Sequence, residues 1–168
     1  MSLAVRHIEA YVFIRRGLQG RVLALRRSSS RRRLPGFWQP VTGNRERGET
    51  MFQTAAREVW EETGLTPQRW WLLETPLLLV GRDSGRISIL ARFAAEVAAG
   101  SQVRLSAEHD ASAFLTIGQA ARRFLWDSQR TALEDLERQI LRGGAHAAAL
   151  EVPAAKFRRR LARRQDRR

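Results

Sequence analysis

The residues best able to do chemistry in this chain are Glu58, Glu61 and Glu62, gathered within five positions of a sequence with 30 lysines and arginines against 17 acids. Spaced three and four apart on a helix, they point into a common space and repel one another. Something positive must offset that repulsion. Carboxylates are hard oxygen ligands suited to Mg²⁺ or Mn²⁺, and Mg²⁺ usually completes its shell with water and substrate phosphate. The alternative is a solvated acidic helix face with Arg57 and Arg69 as counter-charges. Spacing alone favours that alternative slightly.

The elements that must position these glutamates follow from the surrounding pattern. A helix is expected from about Met51 to Thr63, capped by Thr50 or Glu49 and stopped by Gly64 and Pro67. Phe52, Ala55, Ala56 and Val59 supply its opposing apolar stripe. Residues 3–14 and 21–25 read as strands joined by the turn "RRGLQG", followed by the basic, Ser-rich loop "RRSSSRRRLPG". "FWQPVTG" is a short strand ending at Gly43; "RWWLLE", "PLLLVGR" and "RISILARFAAEV" are further strands. "AEHDASAFLTIGQAARRF" reads as a loop leading into a short helix. In "DSQRTALEDLERQILRGG", Ala132, Leu133, Leu136, Ile140 and Leu141 share one helical face, and Gly143 ends it. The order of elements implies an α+β domain over residues 1–144, with a mixed sheet between helices. Residues 145–168 read as an Ala-rich, then basic extension, helical only in part.

Composition narrows the class. A chain of 168 residues, 43% hydrophobic, with five Trp and seven Phe, can bury a substantial core. It has no Cys, which excludes disulfides and thiolate metal sites. Charge at Arg6 and Glu9 precedes any apolar run, and "PLLLV" is far too short to span a bilayer. The expectation is a soluble cytoplasmic protein without a membrane partner. Net charge is +13, and the last thirteen residues hold eight bases and one acid, a net of +7 that leaves +6 elsewhere. Such a surface attracts polyanions. A general arginine bias would explain it as well.

The stretch from Gly43 to Leu65 supplies the decisive pattern. It reads Gly43, five residues, Glu49, seven residues, Arg57-Glu58-Val59, one residue, Glu61-Glu62, one residue, Gly64-Leu65. This resembles the box of the Nudix hydrolase family at all nine specified positions. The resemblance implies an α/β/α sandwich that hydrolyses a nucleoside diphosphate linked to another group, by attack of water at phosphorus. It implies that Glu58 and Glu62 are the principal ligands of Mg²⁺ or Mn²⁺, with Glu61 assisting and the backbone near Thr42 or Gly43 completing the shell. Arg57 would orient Glu49 by a bidentate pair. Members differ in whether the general base lies on the box helix or on a later loop, which here offers Glu108 beside His109.

"GFWQPVTGNRERGET", and "EH" followed by an aromatic residue and Leu115, look like the dihydroneopterin triphosphate pyrophosphatase branch. There the "EH" glutamate is a metal ligand, which gives Glu108 that role, and the substrate-contact positions match Arg27 and Thr42. Ser112 and Phe114 depart from that branch, as does the short segment between "RWWLLE" and "RISILARF". Without a ligand or base role, Glu108 is an exposed loop residue and His109 a surface or capping histidine. Trp38 or Phe37 could stack on a base, although aromatic residues in strands are more often core.

The expected function is Mg²⁺-dependent cleavage of a nucleoside or dihydroneopterin triphosphate to the monophosphate and pyrophosphate. Cleansing of (d)NTP pools, dinucleoside polyphosphate cleavage and hydrolysis of RNA 5′ ends are the rivals. A non-catalytic nucleotide- or RNA-binding module is another, but the intact box glutamates favour an enzyme. The basic tail reads as a solvated arm, with nucleic-acid contact the alternative. Oligomeric state stays open.

Overall fold

Alternation along the first strand divides the interior in two. In β1 (Ala4–Arg16), Ile8, Ala10, Val12 and Ile14 face one way, and Tyr11 and Phe13 the other. This period of two is that of a strand buried on both faces. The computed structural model describes residues 4–81 and 85–153. Its eight strands form one mixed sheet. They are β1, β2 (Gln19–Arg27), β3 (Trp38–Gln39), β4 (Val41–Asn44), β5 (Arg69–Leu72), β6 (Leu77–Val80), β7 (Ile87–Glu96) and β8 (His109–Thr116).

The site is prepared by a splay between the first two strands. β1 and β2 leave their turn paired, Phe13 opposite Val22, and then diverge. The chain from Trp38 to Asn44 fills the gap. Its β3 portion pairs Trp38 with Arg26, and its β4 portion pairs Gly43 with Ile8. Pro40, which has no N–H to donate, separates the two pieces. On its other side β1 runs parallel to β7, with Glu9 opposite Arg92.

Helix α1 (Met51–Thr63) covers one face, with Phe52, Ala55 and Val59 inside the first core cluster. Phe52 meets Trp70 edge-on at 5.2 Å between ring centroids, which pins the helix to the sheet. Thr50 caps it reciprocally with Gln53, and Gly64 ends it in the left-handed region at φ 67°. The opposite face is covered by α2 (Ile117–Arg123), α3 (Asp127–Asp135) and a π-helical segment, Leu136–Leu141. The sheet thus lies between helical layers, the expected α+β sandwich with a mixed sheet.

Two expectations need revision. His109–Thr116 is a strand and not a loop, because β2 offers it an antiparallel ladder from Arg21 to Arg27, with a bulge after Arg26. Local propensity in "HDASAFLT" gave little sign of that pairing. The amphipathic helix keeps its buried face but widens to π geometry at Leu136. In the segment from 144 to 153, α4 (Gly144–Leu150) buries Ala147 and Val152 donates a backbone hydrogen bond to Trp70. The basic tail, and with it any nucleic-acid contact, lies outside the described residues. Among the described residues, no helix is long and apolar enough to cross a membrane.

Candidate active site

The box glutamates occupy the second half of α1, directly over the strand that fills the splay. Gly43 makes this approach possible: a Cβ there would overlap the Glu58 side chain. Its requirement is space, not unusual backbone angles.

Arg57 organises the carboxylates. Its Nε and Nη2 donate to the two oxygens of Glu49 at 2.9 and 3.2 Å, the bidentate pair expected. Nη1 donates to Glu58 and to Glu61, both at 2.9 Å, and Nη2 also reaches the Asn44 carbonyl at 3.0 Å. Burial works against the Arg57 charge, but its carboxylate partners outweigh that and raise its pKa. Burial likewise disfavours ionised Glu49, yet hydrogen bonds from Arg57, the Glu46 backbone and Thr54 leave its pKa below the usual carboxylate value. Glu49 is buried under Arg57 and does not line the cleft.

Glu62 differs from the other three. It is 6% exposed, its Oε2 has no hydrogen-bond partner, and no arginine clasps it. Burial, then the charges of Glu58 and Glu108, push its pKa up to about 9. Burial also raises the pKa of Glu58, against the pull of Arg57. The His109 ring lies 3.9 Å from Glu62 Oε2. Burial pushes that imidazole down to about 4, so it is neutral at pH 7 and the contact is not an ion pair. His109 is hence neither a surface nor a capping residue. Both its nitrogens are buried without hydrogen-bond partners, behind Glu62 and outside the cleft lining.

Arg57, Glu58, Glu61 and Glu62 line a cleft of about 710 Å³ together with Arg27, Arg31, Thr42, Gly43, Asn44, Arg45 and Glu108. The structure therefore brings together Glu58, Glu61, Glu62, Glu108, Arg57, Gly43, Thr42 and Arg27, from positions 27 to 108 of the sequence. Glu49 and Trp38 lie outside the lining. The Trp38 ring sits 5.0 Å beneath the Arg123 guanidinium and packs against the second core cluster, so it is not part of the cleft wall. Phe37 is partly exposed but also lies outside that wall. Sequence reasoning missed Arg31 and Arg45, whose only signal was the basic character of their loops.

The donor set fits a hard divalent cation. It has an excess of carboxylates over nearby arginine, and one buried carboxylate oxygen without a partner. Among the described residues, no three His, Cys, Asp or Glu side chains are already grouped so as to hold a metal ion. Glu58 and Glu61 lean on Arg57, and Glu108 on Arg31.

A family model described as "NUDIX domain" matches residues 5–136. The chain belongs to the Nudix family. Members of that family generally use divalent metal ions. The fold is similar to that of the E. coli dihydroneopterin triphosphate pyrophosphohydrolase, at a TM-score of 0.67 and 25% identity, covering 83% of this chain and 100% of that one. A C. elegans Ap4A hydrolase in a binary complex shares the fold at a TM-score of 0.66 and 20% identity, over 80% and 96% of the two chains. A Myxococcus xanthus protein named octanoyltransferase is 37% identical over 139 residues, 82% of this chain. The chain spans only 35% of that curated relative's length.

Proposed function

We propose that this Nudix protein cleaves a nucleoside triphosphate or a related polyphosphate to the monophosphate and pyrophosphate, with Mg²⁺ as its cation and Mn²⁺ as a substitute. The observation that carries this reading is the charge imbalance at Glu62, a buried carboxylate whose neighbours Glu58 and Glu108 are also acidic. Glu58 and Glu62 would hold the cation, aided by Glu61, Glu108 and the backbone at Gly43. When bound, the cation supplies charge neutralisation at phosphate and acidifies a water.

The chain's own residues do the rest. Arg27, Arg31 and Arg45 line the cleft and offer guanidinium forks to phosphate oxygens. Glu49 anchors Arg57, whose Nη1 holds Glu58 and Glu61 in place. Glu108 is half-exposed and stands across the cleft from the helix, where it can accept a proton from the attacking water. Thr42 offers a hydroxyl, which already accepts from Gln39 at 3.3 Å.

Base recognition is weaker. Among the described residues no Phe, Tyr or Trp lines the cleft, His7 supplies its one imidazole, and Phe114 packs against the first core cluster. The cleft thus favours substrates read mainly through their phosphates. The octanoyltransferase name of the long relative suggests acyl transfer, but no Cys or Lys lines this cleft to act as its nucleophile.

A panel of nucleoside triphosphates, dihydroneopterin triphosphate and dinucleoside polyphosphates tests the reading with Mg²⁺ present, scoring pyrophosphate against phosphate. Pyrophosphate release from triphosphates is expected, and Glu62→Gln should lower it on the order of a thousandfold. Unchanged turnover of Glu62→Gln at saturating Mg²⁺ would sink the assignment.

A further inference from the structure

The cleft contains an ion pair that the hydrolytic reading leaves unused. Arg31 Nη2 lies 2.9 Å from Glu108 Oε2, and the two side chains are 41% and 44% exposed. Both line the cleft, beside Arg27 and facing Glu62. So the carboxylate best placed to join Glu58 and Glu62 is held by an arginine best placed to meet phosphate.

We propose that Arg31 is an exchangeable latch on Glu108: it holds this carboxylate while the cleft is empty, and the phosphate chain of an incoming substrate takes the guanidinium over and frees Glu108. This rests on the hydrolase reading above and adds its control by substrate. A guanidinium presents the same planar fork to carboxylate and to phosphate, and the more highly charged phosphate is the stronger partner. An ion pair this exposed contributes little to stability, so exchanging it costs little.

The surroundings restrict the exchange to side chains. Ser28 N–H donates to the Glu108 carbonyl at 2.9 Å, and Arg26 pairs with Asp110 at 2.6 Å. The Arg31 N–H closes a turn onto the Ser28 carbonyl at 3.0 Å. These contacts fasten the Arg31 loop to the Glu108 turn without using the latch. Breaking the pair leaves both backbones where they are. Release of Glu108 would bring a further carboxylate toward Glu62 only when phosphate charge is present to balance it, which keeps the ligand set incomplete in the empty protein.

The test titrates the substrate-free protein with Mn²⁺ by calorimetry and compares Arg31→Ala, Glu108→Gln and the double variant. Arg31→Ala should bind Mn²⁺ up to about fivefold more tightly, the scale of an exposed ion pair. The same change should raise KM for a triphosphate about tenfold with kcat little altered, because a charge-assisted contact is lost. Arg31→Lys should restore part of the KM, since it keeps the charge and loses the fork. In the Glu108→Gln background, removing Arg31 should leave Mn²⁺ affinity unchanged. Equal Mn²⁺ affinity of wild type and Arg31→Ala overturns the latch. So does a tightening that persists in the Glu108→Gln background, which would be the field of the arginine alone. A wild-type protein that binds no Mn²⁺ would overturn the hydrolase reading instead, so the two failures are distinguishable.

Discussion

Two arginines, Arg57 and Arg92, each bind carboxylates inside this fold, and they do opposite things. Arg92 pairs with Glu9 at 3.2 Å across the parallel β1–β7 register, and both side chains are almost wholly buried. Tyr11 and Gln129 donate to the same carboxylate at 2.8 and 3.1 Å, and Arg92 also reaches the Thr75 carbonyl. One positive group thus meets one negative group, and hydrogen bonds occupy both Glu9 oxygens, although Arg92 Nη2 has no partner. Arg57 instead serves Glu49, Glu58 and Glu61, with Glu62 left over. A balanced pair in a closed interior is structural, whereas an unbalanced one on a cleft invites a cation. Charge count, more than burial, separates scaffold from site.

The sharpest break in this comparison comes from deleting each arginine. Arg57→Ala and Arg92→Ala each strand a buried carboxylate, Glu49 or Glu9, and each should cost about 3–5 kcal/mol of stability. Only Arg57→Ala should also abolish hydrolysis, and only its unfolding midpoint should depend more strongly on Mg²⁺ than that of wild type. Denaturant unfolding with and without Mg²⁺ measures both. Equal metal responses would erase the distinction between the clusters.

Gly43→Ala comes next. The added methyl displaces Glu58, and a misplacement on that scale should lower turnover about a hundredfold while thermal stability barely changes. Loss of stability in proportion to activity would make Gly43 a folding residue instead.

Proton linkage gives a smaller effect with a definite sign. The folded pKa of Glu62 is raised from 4.5 to about 9, so its contribution to stability is present below 4.5 and is lost as pH climbs toward 9. His109 is lowered from 6.5 to about 4, so its contribution is present above 6.5 and is lost as pH falls toward 4. With chelator present, the melting temperature should therefore decline from pH 6.5 to pH 9. Glu62→Gln should flatten that limb and steepen the acid limb, because the Glu62 and His109 windows overlap with opposite sign between pH 4.5 and 6.5. Divalent cation should flatten it too, by replacing the proton.

Trp38→Ala should do least to catalysis. Its ring belongs to the second core cluster, so kcat/KM should stay within about threefold while stability falls. A much larger rise in KM would bring the aromatic platform back into the site.

What the sequence by itself determined is the local part of the site. Glu58, Glu61, Glu62 and Arg57 lie within six positions of one helix, and helical spacing alone makes them neighbours. The Thr50 cap and the Gly64 stop are equally local, and they set where that helix begins and ends. Tertiary structure decided the remainder. His109 reached Glu62, and Arg31 reached Glu108, because β8 pairs with β2 across some eighty positions. Trp38 went to the opposite side of the sheet because strand side chains alternate, so a single step of register chooses its face. Contacts within one helical turn follow from spacing, but contacts between strands depend on a register that no local pattern specifies.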